Sequence, residues 1–138
     1  MVAQHIDTNK YTPYIIHIEG TDWHAVYEQQ TYSIDKNDFS FSTGNNKISF
    51  DGVFMAIHGT PGEDGILQAY FDLLNIPYNC CGSFDSSITI NKGMCNALLK
   101  NFNIPSAKAI MIHKGAAYDT QAIENNIGLP CFVNPNCA

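Results

Sequence analysis

Val53-Phe-Met-Ala-Ile-His-Gly-Thr-Pro-Gly-Glu-Asp-Gly65, followed by Ile66-Leu-Gln-Ala-Tyr-Phe-Asp-Leu-Leu74, is the stretch on which the fold turns. Ile48 to His58 reads as a strand whose apolar run Val53 to Ile57 is buried on both faces, which suits a central parallel strand better than an alternating edge. From Gly65 the period changes. Ile66, Leu67, Tyr70, Phe71, Leu73 and Leu74 fall on one broad helical face, with a helix stop expected near Asn75. Between strand and helix lies His58-Gly-Thr-Pro-Gly-Glu-Asp-Gly65. Ligands of open α/β sheets collect at the carboxyl ends of strands, beside helix N-termini. Glycines and a proline there leave backbone N–H groups free, and the helix dipole favours an anion. His58 can donate to a carboxylate while Glu63 orients its imidazole. The same residues also suit a plainer reading, in which Glu63 and Asp64 favour a helix start and His58 is a satisfied strand-end side chain.

Outward from this block, Tyr11 to Gly20 is β-branched and aromatic and reads as a strand closed by glycine. Thr21 to Ile34 alternates loosely and fits a short hairpin or ornamented loop. Asp35 to Asn46 is polar and turn-rich. On the other side, Pro77–Cys81 reads as a short strand and Ser86–Phe102 as a second helix, with Met94, Cys95, Leu98, Leu99 and Phe102 at helical spacing. Ala107–His113 reads as a strand. Asp119–Asn126 is a helix with Asp119 or Thr120 as its cap, and a last strand starts at Cys131. Strands alternating with helices predict an α/β fold with a largely parallel sheet.

Composition narrows the function. The 138 residues are 45% hydrophobic and only 14% charged, which opposes intrinsic disorder and permits a real core. Net charge is −6, and every basic residue is lysine. Without a cationic stripe or arginine forks, a nucleic-acid partner is excluded, and the acidic balance opposes an anionic membrane surface. No window approaches the roughly 20 apolar residues of a bilayer span, and the first residues do not resemble a signal peptide. A cytoplasmic location is expected. Cys80, Cys81, Cys95, Cys131 and Cys137 lack the spacing of a disulfide framework or zinc ribbon, so buried reduced thiols are expected. His17, His24 and Asp22 could hold a metal, but no ligand spacing supports it, and a surface role is the simpler reading. No metal-site residues are assigned.

The block His58-Gly-Thr-Pro-Gly-Glu-Asp-Gly65, then Leu67 to Gly82, Ile90-Asn-Lys92, Leu98 to Pro105 and Ile127 to Pro135, resembles the D-alanine–D-alanine ligase family. The likeness is strong over residues 48–138 and looser over Tyr11–Phe41. It implies an ATP-grasp ligase of cell-wall peptidoglycan synthesis. ATP and Mg2+ phosphorylate one D-alanine carboxylate, and the amine of a second D-alanine attacks the acyl phosphate. On the matching positions, His58 and Gly59 contact the first D-alanine, Glu63 supports His58, and Lys92 contacts ATP phosphates. A lysine suits that role as a compact charge on a flexible stem.

The implied architecture is a Rossmann-like pre-ATP-grasp domain with a mostly parallel sheet over residues 1–91, N-terminally truncated and lacking its first strand. Residues 92–138 would begin the ATP-grasp central domain, left incomplete. A second phosphate-binding lysine of the family falls at Asn134, which cannot supply the cation. Phosphoryl transfer works by positioning and charge neutralisation, so the chain by itself is expected to be inactive. The competing reading is a non-catalytic remnant or a small-molecule binding module derived from the family. An unfilled slot in the sheet would expose strand edges and favour self-association.

Overall fold

Gly20, at φ +58°, opens a two-residue turn with Thr21. Glycine enters this left-handed region without a Cβ clash, and such turns match the twist of the flanking strands. The structure is a computed structural model that describes residues 2–137. On either side of the turn, β1 (Ile15–Glu19) pairs antiparallel with β2 (Asp22–Tyr27), from Glu19 opposite Asp22 to Ile15 opposite Val26. A second tight turn at Glu28-Gln29 returns the chain as β3 (Gln30–Ser33), giving the order β1-β2-β3. β4 (Phe41–Thr43) and β5 (Asn46–Ile48) form a separate hairpin around Gly44. The loose alternation of Thr21–Ile34 thus becomes a true hairpin.

The chain divides into two compact units, one running to Val53 and one from Phe54. The first has an aromatic core. Alternation turns Ile16, Ile18, Trp23 and Ala25 to one face of the sheet, and Ala25, Ile34, Phe39 and Phe41 are buried. The Phe41 ring lies 5.6 Å from both Tyr14 and Tyr32 and 6.0 Å from Phe50, within the range of favourable aromatic contacts. An exposed ion pair joins Lys47 to Asp38, and the hydrogen bond from the ammonium holds the Asp38 carboxyl below its ordinary pKa. Its exposure makes it a minor source of stability.

The second unit is helical. α1 (Ile66–Leu74), α2 (Ser83–Ile90) and α3 (Lys92–Asn101) follow in close succession, and α4 (Thr120–Ile127) comes later. α1 ends at Asn75 in the left-handed conformation, as its sequence suggests. α4 starts at Asp119, whose carboxylate accepts from the Gln121 and Ala122 N–H groups. The helix expected over Ser86–Phe102 is two helices. At Asn91 the backbone leaves helical space (φ −88°, ψ 92°), and its side chain accepts from the Met94 N–H. A short polar side chain that bonds nearby backbone ends one helix and starts the next.

The parallel sheet is corrected. Every pairing between the named strands is antiparallel, so the protein is α/β in content with its named sheets built from local hairpins. Two-residue turns complete antiparallel ladders locally, whereas parallel ladders need a crossover and a neighbouring strand. The strand-like runs 53–57, 77–81, 107–113 and 131–133 lie outside the named strands. Val53–Ile57 alternates half-buried with exposed residues and is not buried on both faces; Phe54 is 60% exposed. An amide side chain contacts the backbone of this run. Asn79 Oδ1 accepts from the Met55 N–H at 2.7 Å, and Asn79 Nδ2 donates to the Met55 carbonyl at 3.4 Å. Likewise Asn96 Nδ2 donates to the Ala107 carbonyl at 2.9 Å, tying residue 107 to α3 through a side chain. The cysteines are free thiols as expected, but none is buried; Cys95 is half-buried and the other four are exposed.

Glu28 and Gln29 both sit at positive φ (49° and 63°), a turn geometry that favours Asn-Gly. Holding an ordinary L-residue there costs about 1–2 kcal/mol, against a smaller loss in unfolded-chain entropy when glycine replaces it. The double substitution Glu28→Asn, Gln29→Gly is expected to stabilise the chain by about 0.5–1 kcal/mol in urea unfolding. An unchanged or lower midpoint would contradict this account of the turn.

Candidate functional site

The loop between Ile57 and α1 is stitched together by its own backbone and by one carboxylate. Glu63 Oε2 accepts from the Gly59 N–H at 2.6 Å, and Glu63 Oε1 lies 3.7 Å from His58 Nδ1. The Gly62 and Glu63 N–H groups both donate to the Gly59 carbonyl, at 2.8 and 2.9 Å. Gly59 turns at φ +70°. The Ile66 N–H donates to Asp64 Oδ1 at 3.1 Å, and the Leu67 N–H to the Pro61 carbonyl at 3.2 Å. The N–H groups expected to stay open for an anion are therefore largely consumed inside the loop. Recognition is left to side chains, and the His58 side chain is 99% exposed.

Glycines let this loop pack closely. A Cβ on Gly62 would lie 2.7 Å from Ile57 Cβ and 2.8 Å from its carbonyl oxygen. Gly65 has φ +93°, and a Cβ there would meet the Ser83 carbonyl at 2.4 Å and Ser87 Oγ at 2.5 Å. Ser87 Oγ in turn donates to the Asp64 carbonyl at 2.7 Å, so the start of α1 is latched to α2. Under the loop, Gln68 is 1% exposed, and its Nε2 donates to the Gly62 carbonyl at 2.7 Å and to Cys80 Sγ at 3.4 Å.

An open cavity of about 370 Å³ lies beside this latch, lined by Gly62, Glu63, Gln68, Cys81, Ser86 and Lys92 among others. The structure thus brings Glu63 and Lys92 to one concavity, while His58 and Gly59 sit at the loop just before it and are not part of its lining. The Lys92 side chain belongs to the first residue of α3, whose N-terminus is closed off. Asn136 O accepts from the Lys92 N–H at 3.0 Å, Asn136 Oδ1 from the Gly93 N–H at 2.9 Å, and Asn91 Oδ1 from the Met94 N–H at 3.0 Å. Asn136 Nδ2 also donates to Asn91 Oδ1 at 3.0 Å. With these donors used, the Lys92 ammonium is the group there suited to a phosphate. For Mg2+ the fit fails: no group of three or more His, Cys, Asp or Glu side chains among the described residues is placed to hold a metal.

Of the four residues singled out in the sequence, Glu63 and Lys92 line the cavity and His58 and Gly59 do not; the structure adds Gln68, Asn91 and Asn136 around it. Gln68 left a trace, as a polar residue three positions before Phe71 on the apolar face of α1. Asn136 left none, because its partners are more than forty residues away.

A family model described as D-ala D-ala ligase N-terminus matches residues 1–81. The chain belongs to the D-alanine–D-alanine ligase family. It is 44% identical over 132 residues to the D-alanine–D-alanine ligase of Bacteroides thetaiotaomicron, covering 95% of this chain and 41% of that protein. Against the ligase of Phocaeicola vulgatus the identity is 46%, with the same coverage. The chain thus spans about two fifths of the length of these relatives. Among solved structures, the D-alanine–D-alanine ligase of Coxiella burnetii superposes with a TM-score of 0.77 at 22% identity, over 92% of this chain and 43% of that one. The D-alanyl-alanine synthetase A of Vibrio cholerae gives a TM-score of 0.66 at 24% identity, over 86% and 34%. These two likenesses establish the ligase fold.

Two predictions follow from the loop and its helix. Gly65→Ala combines a disfavoured φ with a backbone clash and is expected to lose more than about 2 kcal/mol of stability in urea unfolding. A loss below half of that would mean the latch to α2 yields easily. At the far end of α1, the Tyr78 hydroxyl donates to Asp72 Oδ1 at 2.7 Å, and that bond, with burial, pushes the phenol from 10.0 up to about 12. The neutral phenol is the favoured native form, so its contribution is complete below about pH 10 and fades as pH rises toward 12. Asp72→Asn is expected to bring the Tyr78 titration, followed by the ring 13C NMR shift, back toward its ordinary value; no change would rule out the carboxylate as the cause.

Proposed function

We propose that this chain serves a D-alanine–D-alanine ligase, the ATP-dependent joining of two D-alanines for peptidoglycan precursors, in the cytoplasm. The observation that carries the reading is the Glu63 carboxylate spanning the His58 ring and the Gly59 N–H, at 3.7 and 2.6 Å. The carboxylate lies near Nδ1, beyond hydrogen-bond distance, and the exposed ring keeps its other nitrogen open to donate to a substrate carboxylate. Membership of the ligase family supplies the substrate class. In this reading His58 holds the first D-alanine at the turn made by Gly59, whose own N–H is engaged by Glu63, Glu63 positions His58, and Lys92 neutralises an ATP phosphate.

ATP would supply the phosphoryl group for the first D-alanine carboxylate; Lys92 would hold one of its phosphates, and no described residues are placed to hold Mg2+. This chain contributes orientation and charge to that step. The exposed His58 ring offers an N–H donor to the carboxylate and orients it for transfer. Lys92 supplies a mobile positive charge at the cavity rim. Asn134 stands where the resemblance places a second lysine, and its neutral amide can offer hydrogen bonds only. Residues 1–91 are assigned to the pre-ATP-grasp domain and residues 92–138 to the start of the ATP-grasp central domain. Self-association fits the same reading, since β1 and β3 lie at the two edges of the three-stranded sheet. No helix of the described residues is long and apolar enough to cross a membrane.

Titration of the isotopically labelled chain with D-alanine is expected to move the His58 ring and Gly59 amide NMR signals, with L-alanine producing smaller shifts. His58→Ala should weaken D-alanine binding about tenfold, the scale of one charge-assisted hydrogen bond. The assignment fails if D-alanine at tens of millimolar leaves both signals unmoved.

A further inference from the structure

The solvent face of the three-stranded sheet carries a feature unrelated to the ligase site. The register sets His17 of β1 directly opposite His24 of β2, and His24 in turn opposite Ser33 of β3. The two imidazoles stack with centroids 5.3 Å apart and planes 21° from parallel. His17 is exposed and His24 half-buried, on the face away from Trp23 and Ala25. One cross-strand pair nearer the turn, Glu19 stands opposite Asp22, both exposed on the same face. Two imidazoles and two carboxylates thus occupy adjacent rows of one rigid hairpin.

We propose that His17 and His24 form a two-imidazole site for a late first-row divalent cation, with open positions filled by water. Neutral imidazole nitrogen is a good ligand for Ni2+, Cu2+ and Zn2+, and directly opposed strand positions bring two rings within chelating reach. The Glu19–Asp22 pair adds negative potential that draws a cation toward the rings. No third ligand completes a cage, since no group of three or more such side chains is placed for a metal among the described residues. The site therefore exchanges its metal readily and is not a structural centre. Sequence spacing alone hides it: seven positions separate the two histidines, and only the Gly20-Thr21 turn folds them onto one another.

The test uses the full 138-residue chain and Ni2+ as the probe, because Cu2+ would oxidise the free thiols. With NMR-labelled histidine, substoichiometric paramagnetic Ni2+ is expected to broaden the His17 and His24 rings before those of His5, His58 and His113. Calorimetry should show that His17→Gln and His24→Gln each weaken Ni2+ binding about tenfold or more, because losing one ligand removes the intramolecular advantage of the pair. Both substitutions lie on the solvent face, and unchanged amide spectra elsewhere confirm the fold. Uniform broadening of all five histidines, or an affinity that either single variant leaves unaltered, would overturn the site.

Discussion

A side chain at residue 65 has nowhere to go. Its Cβ would lie 2.4 Å from the Ser83 carbonyl oxygen, and the backbone there has φ +93°, so the position accepts glycine alone. That close approach lets α1 begin directly against α2. The neighbouring bonds depend on it: Ser87 Oγ reaches the Asp64 carbonyl only because the two segments touch, and Gln68 reaches Gly62 from within the same packing.

The loop resolves a competition between two uses of the same backbone. Glycine-rich loops at helix starts often leave N–H groups to cradle an anion. Here Gly59, Gly62, Glu63, Ile66 and Leu67 spend their N–H groups on Glu63, Gly59, Asp64 and Pro61. The loop is thereby bonded internally, and in the proposed reading substrate contact falls to the side chains of His58 and Lys92. Preorganisation of this kind lowers the cost of orienting a substrate, at the expense of direct backbone contacts.

Much of the local structure was legible in the residues. Asn75 ends α1, Asp119 caps α4, and Gly20 makes the first turn, each because its side chain or lack of one dictates a backbone conformation. The misread elements share one cause. Val53–Ile57, Ala107–His113 and Cys131–Val133 have strand composition, but a strand is defined by its ladder partners. In this chain these runs are not part of a named ladder, and Asn79 meets Met55 and Asn96 meets Ala107 through amide side chains. Apolar composition likewise did not guarantee burial: Phe132 and Val133 are 96% and 93% exposed.

By itself the sequence determined the family, the end of α1 at Asn75 and the start of α4 at Asp119. These are properties of short motifs and of single-residue backbone preference. The tertiary structure alone decided that the sheets are antiparallel, that Asn136 seals the start of α3, and that His17 faces His24. Each of these depends on segments meeting across a turn or across many residues. Only the folded geometry, through turn conformation and close packing at glycine, determines which distant groups come within bonding distance.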